Sequence, residues 1–173
     1  MSLSITHTPV YCTDLDKALA FYTQRLGFEV RDDVPMGPEM RWLTVHAPGD
    51  DHDLLLAAVD HHIPPADRQA MREIVAKGDL AVFIQVDDLD KTFESLRAAG
   101  TEILQEPVDQ SYGVRDAAVR DPSGNHLRLS QPLAAQGRSS GLPGRPAGPH
   151  RPLTLLACAV RPLPAEDRQS GPS

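Results

Sequence analysis

The chain says nearly the same thing twice. Asp14-Leu15-Asp16-Lys17-Ala18-Leu19 recurs as Asp88-Leu89-Asp90-Lys91-Thr92-Phe93. Each copy opens a helix-like run that stops at a glycine, Gly27 in the first and Gly100 in the second. Each glycine precedes a short strand-like segment, and each opening follows an apolar strand, Ile5 to Cys12 or Leu80 to Val86. The aspartates are 74 residues apart and the glycines 73, so the two helices differ by one residue. A repeat of this length means two copies of one supersecondary unit.

Walking the chain fills in each unit. Strand one runs from Ile5 to Cys12, and Thr13 or Asp14 is placed to cap the helix that follows. Leu15, Leu19, Phe21-Tyr22 and Leu26 recur near helical spacing, and Gly27 suits the position just past a helix end. Strands are expected over 28–34, 41–46 and 53–59, separated by the turns Pro35-Met36-Gly37-Pro38 and Pro48-Gly49-Asp50-Asp51. That is βαβββ over residues 5–60. A linker helix is expected over 64–77, with its prolines in the first turn and Gly78 closing it. Residues 80–131 repeat the pattern, with strands at 80–86, 102–106, 114–120 and 125–130, a helix at 88–99 and a turn at Asp121-Pro122-Ser123-Gly124. The fold class is therefore α+β, two tandem βαβββ modules within a domain of residues 1–132. Residues 133–173 hold seven of the 16 prolines and five of the 12 glycines, the composition expected of a disordered tail.

Charge excludes one class of partner. Residues 1–132 carry 12 Lys and Arg against 22 Asp and Glu, whereas residues 133–173 carry five Arg against two acids. An acidic domain argues against nucleic acid, whose phosphates select basic surfaces. No apolar run approaches the ~20 residues that span a bilayer. Neither a leader peptide nor, from the two distant cysteines Cys12 and Cys158, a disulfide framework is expected, and the cytoplasm is the default compartment.

The pattern resembles a known family. Paired βαβββ modules, His7-Thr8 leading to Asp14-Leu15-Asp16-Lys17-Ala18-Leu19-Ala20-Phe21-Tyr22, then Leu26-Gly27-Phe28, Val86-Asp87-Asp88-Leu89-Asp90, Tyr112-Gly113-Val114-Arg115 and the closing Asp121-Pro122-Ser123-Gly124-Asn125-His126 are similar to the vicinal oxygen chelate superfamily. That superfamily includes glyoxalase I, extradiol dioxygenases, fosfomycin-inactivating transferases and bleomycin-resistance proteins. The resemblance covers about residues 5–132 and implies curled mixed sheets around a ligand cleft. In metal-dependent members it implies four ligands, one on the first and fourth strand of each module. Carried over position by position, those places fall on His7, Ala57, Ala81 and Arg128. Only His7 keeps a donor, and an arginine cannot ligate a metal. No metal or other cofactor is therefore expected.

Strand alternation then names the residues expected to line the cleft. His7 and Tyr11 share a face, as do His126 and Arg128, with Ala57 and Phe83 on the corresponding faces of their strands. The direction of Trp42 is left open: it stacks on a ligand or packs in the core. Arg128 either orients an anionic or carbonyl-bearing ligand or pairs with an aspartate such as Asp116. His61-His62 is expected in a polar loop. Besides an accessory ligand-sensing module, two functional classes follow. One is a metal-free protein that binds or sequesters a small molecule in an apolar cleft, as bleomycin-resistance proteins do. The other is an enzyme, either a lyase or dioxygenase using a divalent ion (Zn, Ni, Mn or Fe) or a metal-free isomerase or hydrolase with His7 or His126 as base. The resemblance also implies a homodimer, with modules paired within one chain or between chains.

Overall fold

The structure, a computed structural model, describes residues 3–38 and 40–133. The segment expected to be a disordered tail lies, beyond Leu133, outside the described residues. The first module consists of β1 (His7–Cys12), α1 (Leu15–Ala20), a π-helical turn (Phe21–Arg25), β2 (Glu29–Pro35), β3 (Arg41–His46) and β4 (Asp53–Ala58). Two helices follow, α2 (Val59–His62) and α3 (Arg68–Lys77). The second module is β5 (Ala81–Gln85), α4 (Leu89–Ala98), β6 (Ile103–Asp109), β7 (Val114–Arg120) and β8 (His126–Pro132). The two sheets have the same order, β1-β4-β3-β2 and β5-β8-β7-β6. In each, the first and fourth strands run parallel and the remaining pairs antiparallel.

The repeated Asp-Leu-Asp-Lys motif is a pair of helix caps. Asp14 and Asp88 both have extended backbones, and each carboxylate accepts the backbone N–H three residues on, from Lys17 and Lys91, at 3.0 Å. An N-terminal N–H that would otherwise lack a partner is satisfied, an effect worth about 1 kcal/mol per helix. Gly27 and Gly100 take the left-handed conformation, with φ of 75° and 74°, that ends such helices.

The one-residue difference between the copies has a visible location. A π-turn is an α-helix carrying an inserted residue, and the longer first helix closes with one at Phe21–Arg25. Phe21 and Tyr22, adjacent in sequence, are both buried there. α4 runs without such a turn and buries Leu89, Phe93 and Leu96 at ordinary helical spacing.

One continuous core joins the modules, drawing Tyr22, Leu43 and Leu56 from the first and Phe93, Leu127 and Leu129 from the second. The turn between β7 and β8 latches them together. Buried Asp121 accepts the backbone N–H groups of Ser123, Gly124 and Asn125 at 2.8–2.9 Å and the Tyr22 hydroxyl at 3.3 Å. The Ser123 hydroxyl accepts from Thr13 N, and the Asn125 amide donates to the Tyr11 carbonyl at 2.9 Å. Burial, followed by the Asp121 charge, raises the Tyr22 pKa well above its ordinary value, so the phenol stays a donor.

Three sequence expectations need correction. The linker helix starts at Arg68 rather than at residue 64: Pro65 keeps Pro64 out of the helical region, and Asp67 N closes a turn on Pro64 O instead. The fourth strand ends at Ala58, so Val59 does not lie on a sheet face; it starts α2 and is buried. His61-His62 belong to α2, not to a loop.

Candidate functional site

Each sheet has one face against the helices and one open face. Val10 and Cys12 of β1, Leu54 and Leu56 of β4, and Leu127 and Leu129 of β8 point into the core. Their alternates point the other way. His7 pairs in register with Asp53, Pro9 with Leu55 and Tyr11 with Ala57, so these three pairs share the first open face. In the second sheet Ala81 pairs with His126, Phe83 with Arg128 and Gln85 with Ser130. Both faces look out to solvent on a single chain. Phe83 is 65% exposed in mid-strand, and His7, Pro9, Ala81 and Gln85 are exposed as well. The residues expected to line one cleft thus lie on two separate open faces; among the described residues no strand of one sheet pairs with a strand of the other.

On the first face, Trp42 is half-buried and stands edge-on to His7, with ring centroids 5.5 Å apart. This decides the direction left open by the sequence: Trp42 lies on the open face. The His7 Nδ1 lies 2.9 Å from the Thr6 hydroxyl, and its Nε2 lies 3.6 Å from Asp53 Oδ2. Asp53 is only 4% exposed and is held by Arg31, whose Nε donates at 2.7 Å. Arg31 reaches it because the register of β2 on β3 breaks between Val30 and Asp32. A bulge of this kind re-aims one side chain. Alternation alone does not reveal a bulge, so sequence reasoning missed Arg31; Asp53 shares its face with Leu55 and Ala57 by plain alternation and was legible there.

The second face is built around Asp116, which is 1% exposed. Its carboxylate accepts from Arg128 Nε at 2.8 Å and also from Arg128 Nη2, from Gln105 Nε2 at 2.9 Å, Gln110 Nε2 at 2.8 Å and the Tyr112 hydroxyl at 3.2 Å. Burial works to raise the Asp116 pKa, but the hydrogen bonds from Gln110 and Arg128 and the guanidinium charge outweigh it. The carboxyl stays below its ordinary value. Of the two readings of Arg128, the ion pair with Asp116 is present. Its Nη1 makes no hydrogen bond among the described residues, which leaves one donor edge for a ligand. His126 has a buried Nε2 without a partner. Burial, then the charges of Arg128 and Arg120, lower its pKa, which favours the neutral imidazole.

The faces are more polar than an apolar cleft would be: each sets an arginine on a buried aspartate. Of the residues expected at the site, His7, Tyr11, Trp42 and Ala57 fall on the first face, and Phe83, His126 and Arg128 on the second. The two groups lie on separate sheets.

The donor set does not fit a divalent ion. The positions to which the family resemblance carries metal ligands hold His7, buried Ala57, Ala81 and an Arg128 locked to Asp116. Among the described residues, no three His, Cys, Asp or Glu side chains are grouped to hold a metal. Three protein donors are the usual minimum of a catalytic metal site.

With this geometry, comparison with known proteins is decisive for the family. Residues 4–129 match the model of the Glyoxalase/Bleomycin resistance protein/Dioxygenase superfamily. The chain belongs to that superfamily. The structure of UcmS2 is similar at 37% identity and a TM-score of 0.69, covering 75% of this chain and 98% of that one. TnmS3, described as an antibiotic binding protein from Streptomyces sp. CB03234, is similar at 30% identity and a TM-score of 0.61, covering 76% and 98%. A Vibrio cholerae protein described as a probable lactoylglutathione lyase is 30% identical over 128 residues, 73% of this chain and 89% of its own length. Among the described residues, no helix is long and apolar enough to cross a membrane.

Proposed function

We propose that this chain is a binding protein that holds a small molecule between two open sheet faces, without a metal and without turnover. The observation that carries this reading is the chemistry of the four superfamily ligand positions, of which only His7 retains a donor. The likeness to TnmS3, an antibiotic-binding protein, supports it. Trp42 on one face and Phe83 on the other offer aromatic walls for a flat, largely apolar ligand. Arg128, set by Asp116, aims its free Nη1 at a carbonyl or anionic group on that ligand. We propose a cytoplasmic homodimer in which each cleft takes one face from each subunit, because one chain leaves both faces open.

A second reading rests on one contact. His7 sits 3.6 Å from a buried carboxylate, Asp53, the arrangement of an oriented general base in a metal-free isomerase or hydrolase. It requires turnover and fails if none is found.

The first test is metal content, followed by titration with Zn, Ni, Mn and Fe(II) read by fluorescence of Trp42, the only tryptophan. No bound metal and no response at micromolar concentration are expected. A stoichiometric metal lost in His7→Ala would overturn the proposal. The same fluorescence is expected to quench with a flat aromatic antibiotic, and sedimentation is expected to report a dimer.

A further inference from the structure

A second groove lies at the seam between the modules and includes none of the open-face residues expected at the cleft. Its volume is about 510 Å³, within the ~300–1,000 Å³ range of small-molecule sites. Lys17, Gln24 and Arg25 of α1 and its π-turn form one wall; Thr101, Glu102 and Arg120 line the other.

Its charge runs against that of the domain. Residues 1–132 carry nearly twice as many acids as bases, yet three cations line this groove against the carboxylates of Glu102 and Asp121. Both carboxylates are committed. Glu102 lies 3.2 Å from Arg120 Nε, and Asp121 serves the turn that latches the modules. Arg120 is committed too, donating to the carbonyls of Ala76 and Gly124 at 3.0 Å.

Arg25 stands apart. Its guanidinium lies 5.8 Å from the Phe21 ring centroid and donates once, from Nη1 to the Thr101 hydroxyl at 3.2 Å; among the described residues it has no carboxylate partner. The second module builds the same Phe–Arg stack, with Arg97 4.9 Å from the Phe93 ring centroid, but there Glu94 and Glu106 both pair with the guanidinium. Among the described residues Lys17 pairs with Asp14 alone, at 3.1 Å across an exposed helix turn, a contact weak enough to yield to a ligand.

We propose that this groove binds a small organic anion, a carboxylate or a phosphate monoester. Arg25 supplies its unused donors as a fork, Lys17 supplies a second positive charge, and Thr101 tethers the arginine to the other module. The ligand would therefore sit across the seam, and its site is independent of the cleft.

The test is amide and guanidinium NMR of the full chain titrated with benzoate and with phenyl phosphate, against sodium chloride at equal ionic strength. Saturable shifts confined to Gln24, Arg25, Gly100, Thr101 and Glu102 are expected, with affinity about tenfold weaker in Arg25→Gln, the loss of one charge-assisted hydrogen bond. The tighter probe identifies the anion class. Lys17→Gln, on an exposed position, is expected to weaken binding severalfold and decides the matter if Arg25→Gln does not fold. Shifts that chloride reproduces, the absence of saturable shifts at these residues, or affinity unchanged in the variants that fold would overturn the proposal.

Discussion

The two modules share a topology, a capping motif and a sheet order, but they spend their polar residues differently. The first aims an arginine from a bulge at Asp53 and leaves His7 and Trp42 beside it. The second surrounds Asp116 with four donor side chains and fastens Arg128 to it. One half-cleft thus presents an imidazole and an indole, and the other a fixed cation and a phenyl ring. The repeat accounts for the shared frame; the open-face residues are where the two halves differ.

Their β3–β4 and β7–β8 turns differ as much. The first, around Gly49, is a surface turn, whereas the second is the latch. The largest expected effect is on that latch. Asp121→Ala leaves buried donors unpaired on both sides of the seam and is expected to cost about 3–5 kcal/mol of stability in urea unfolding. A loss below about 1 kcal/mol would mean the modules are held by the apolar core alone.

The glycines of the two turns offer a matched pair. Gly124 has φ of 106°, and a Cβ there would lie 2.8 Å from Ala76 Cα and Val75 O, both backbone atoms of α3. Gly49 has φ of 83° and nothing within 4 Å of its Cβ position. Gly49→Ala is expected to cost about 1 kcal/mol through backbone strain alone, and Gly124→Ala about 2–4 kcal/mol because α3 must also move. Equal losses would remove the distinction between the turns.

The buried aspartates sharpen the comparison of the faces. Asp116→Asn is expected to cost about 2–3 kcal/mol near neutral pH, by weakening a buried charge pair, and to loosen Arg128. The Asp116 carboxyl titrates below its ordinary value in the fold. Its stabilising contribution is present above the unfolded value, about pH 4, and is lost as pH falls through the folded value. The variant should therefore show a flatter acid limb in a stability–pH curve.

The smallest effect concerns His126. Its pKa is lowered in the fold, so as pH drops below about 6.5 the unfolded chain takes up the proton first and stability declines. His126→Gln is expected to flatten part of that slope between pH 7 and 5. His62, whose pKa is lowered by burial and then by the His61 charge, supplies another part. An unchanged slope would mean His126 is solvated in the native protein.

Local rules carried most of the fold. Asp14 and Asp88 cap helices because a short carboxylate accepts an N–H three residues on, wherever it occurs. Gly27 and Gly100 end them because only the φ > 0 region closes that turn cheaply. Alternation placed His7 with Tyr11, and His126 with Arg128, because a strand's side chains leave by opposite faces. One miss is itself local. Pro64-Pro65 looked like a helix start because proline suits a first turn, yet the second proline restricts the first.

The sequence by itself determined two βαβββ modules and their caps, since these depend on residue type and short-range spacing. Only the tertiary structure decided that Arg31 reaches Asp53, that Trp42 stands beside His7, that Asp121 ties Tyr22 to the second module, and that both half-clefts open outward. The first three are contacts between segments far apart in the chain, and the fourth follows from how the sheets are packed. Such contacts depend on bulges, sheet twist and the packing of one module on the other, and no local pattern records them.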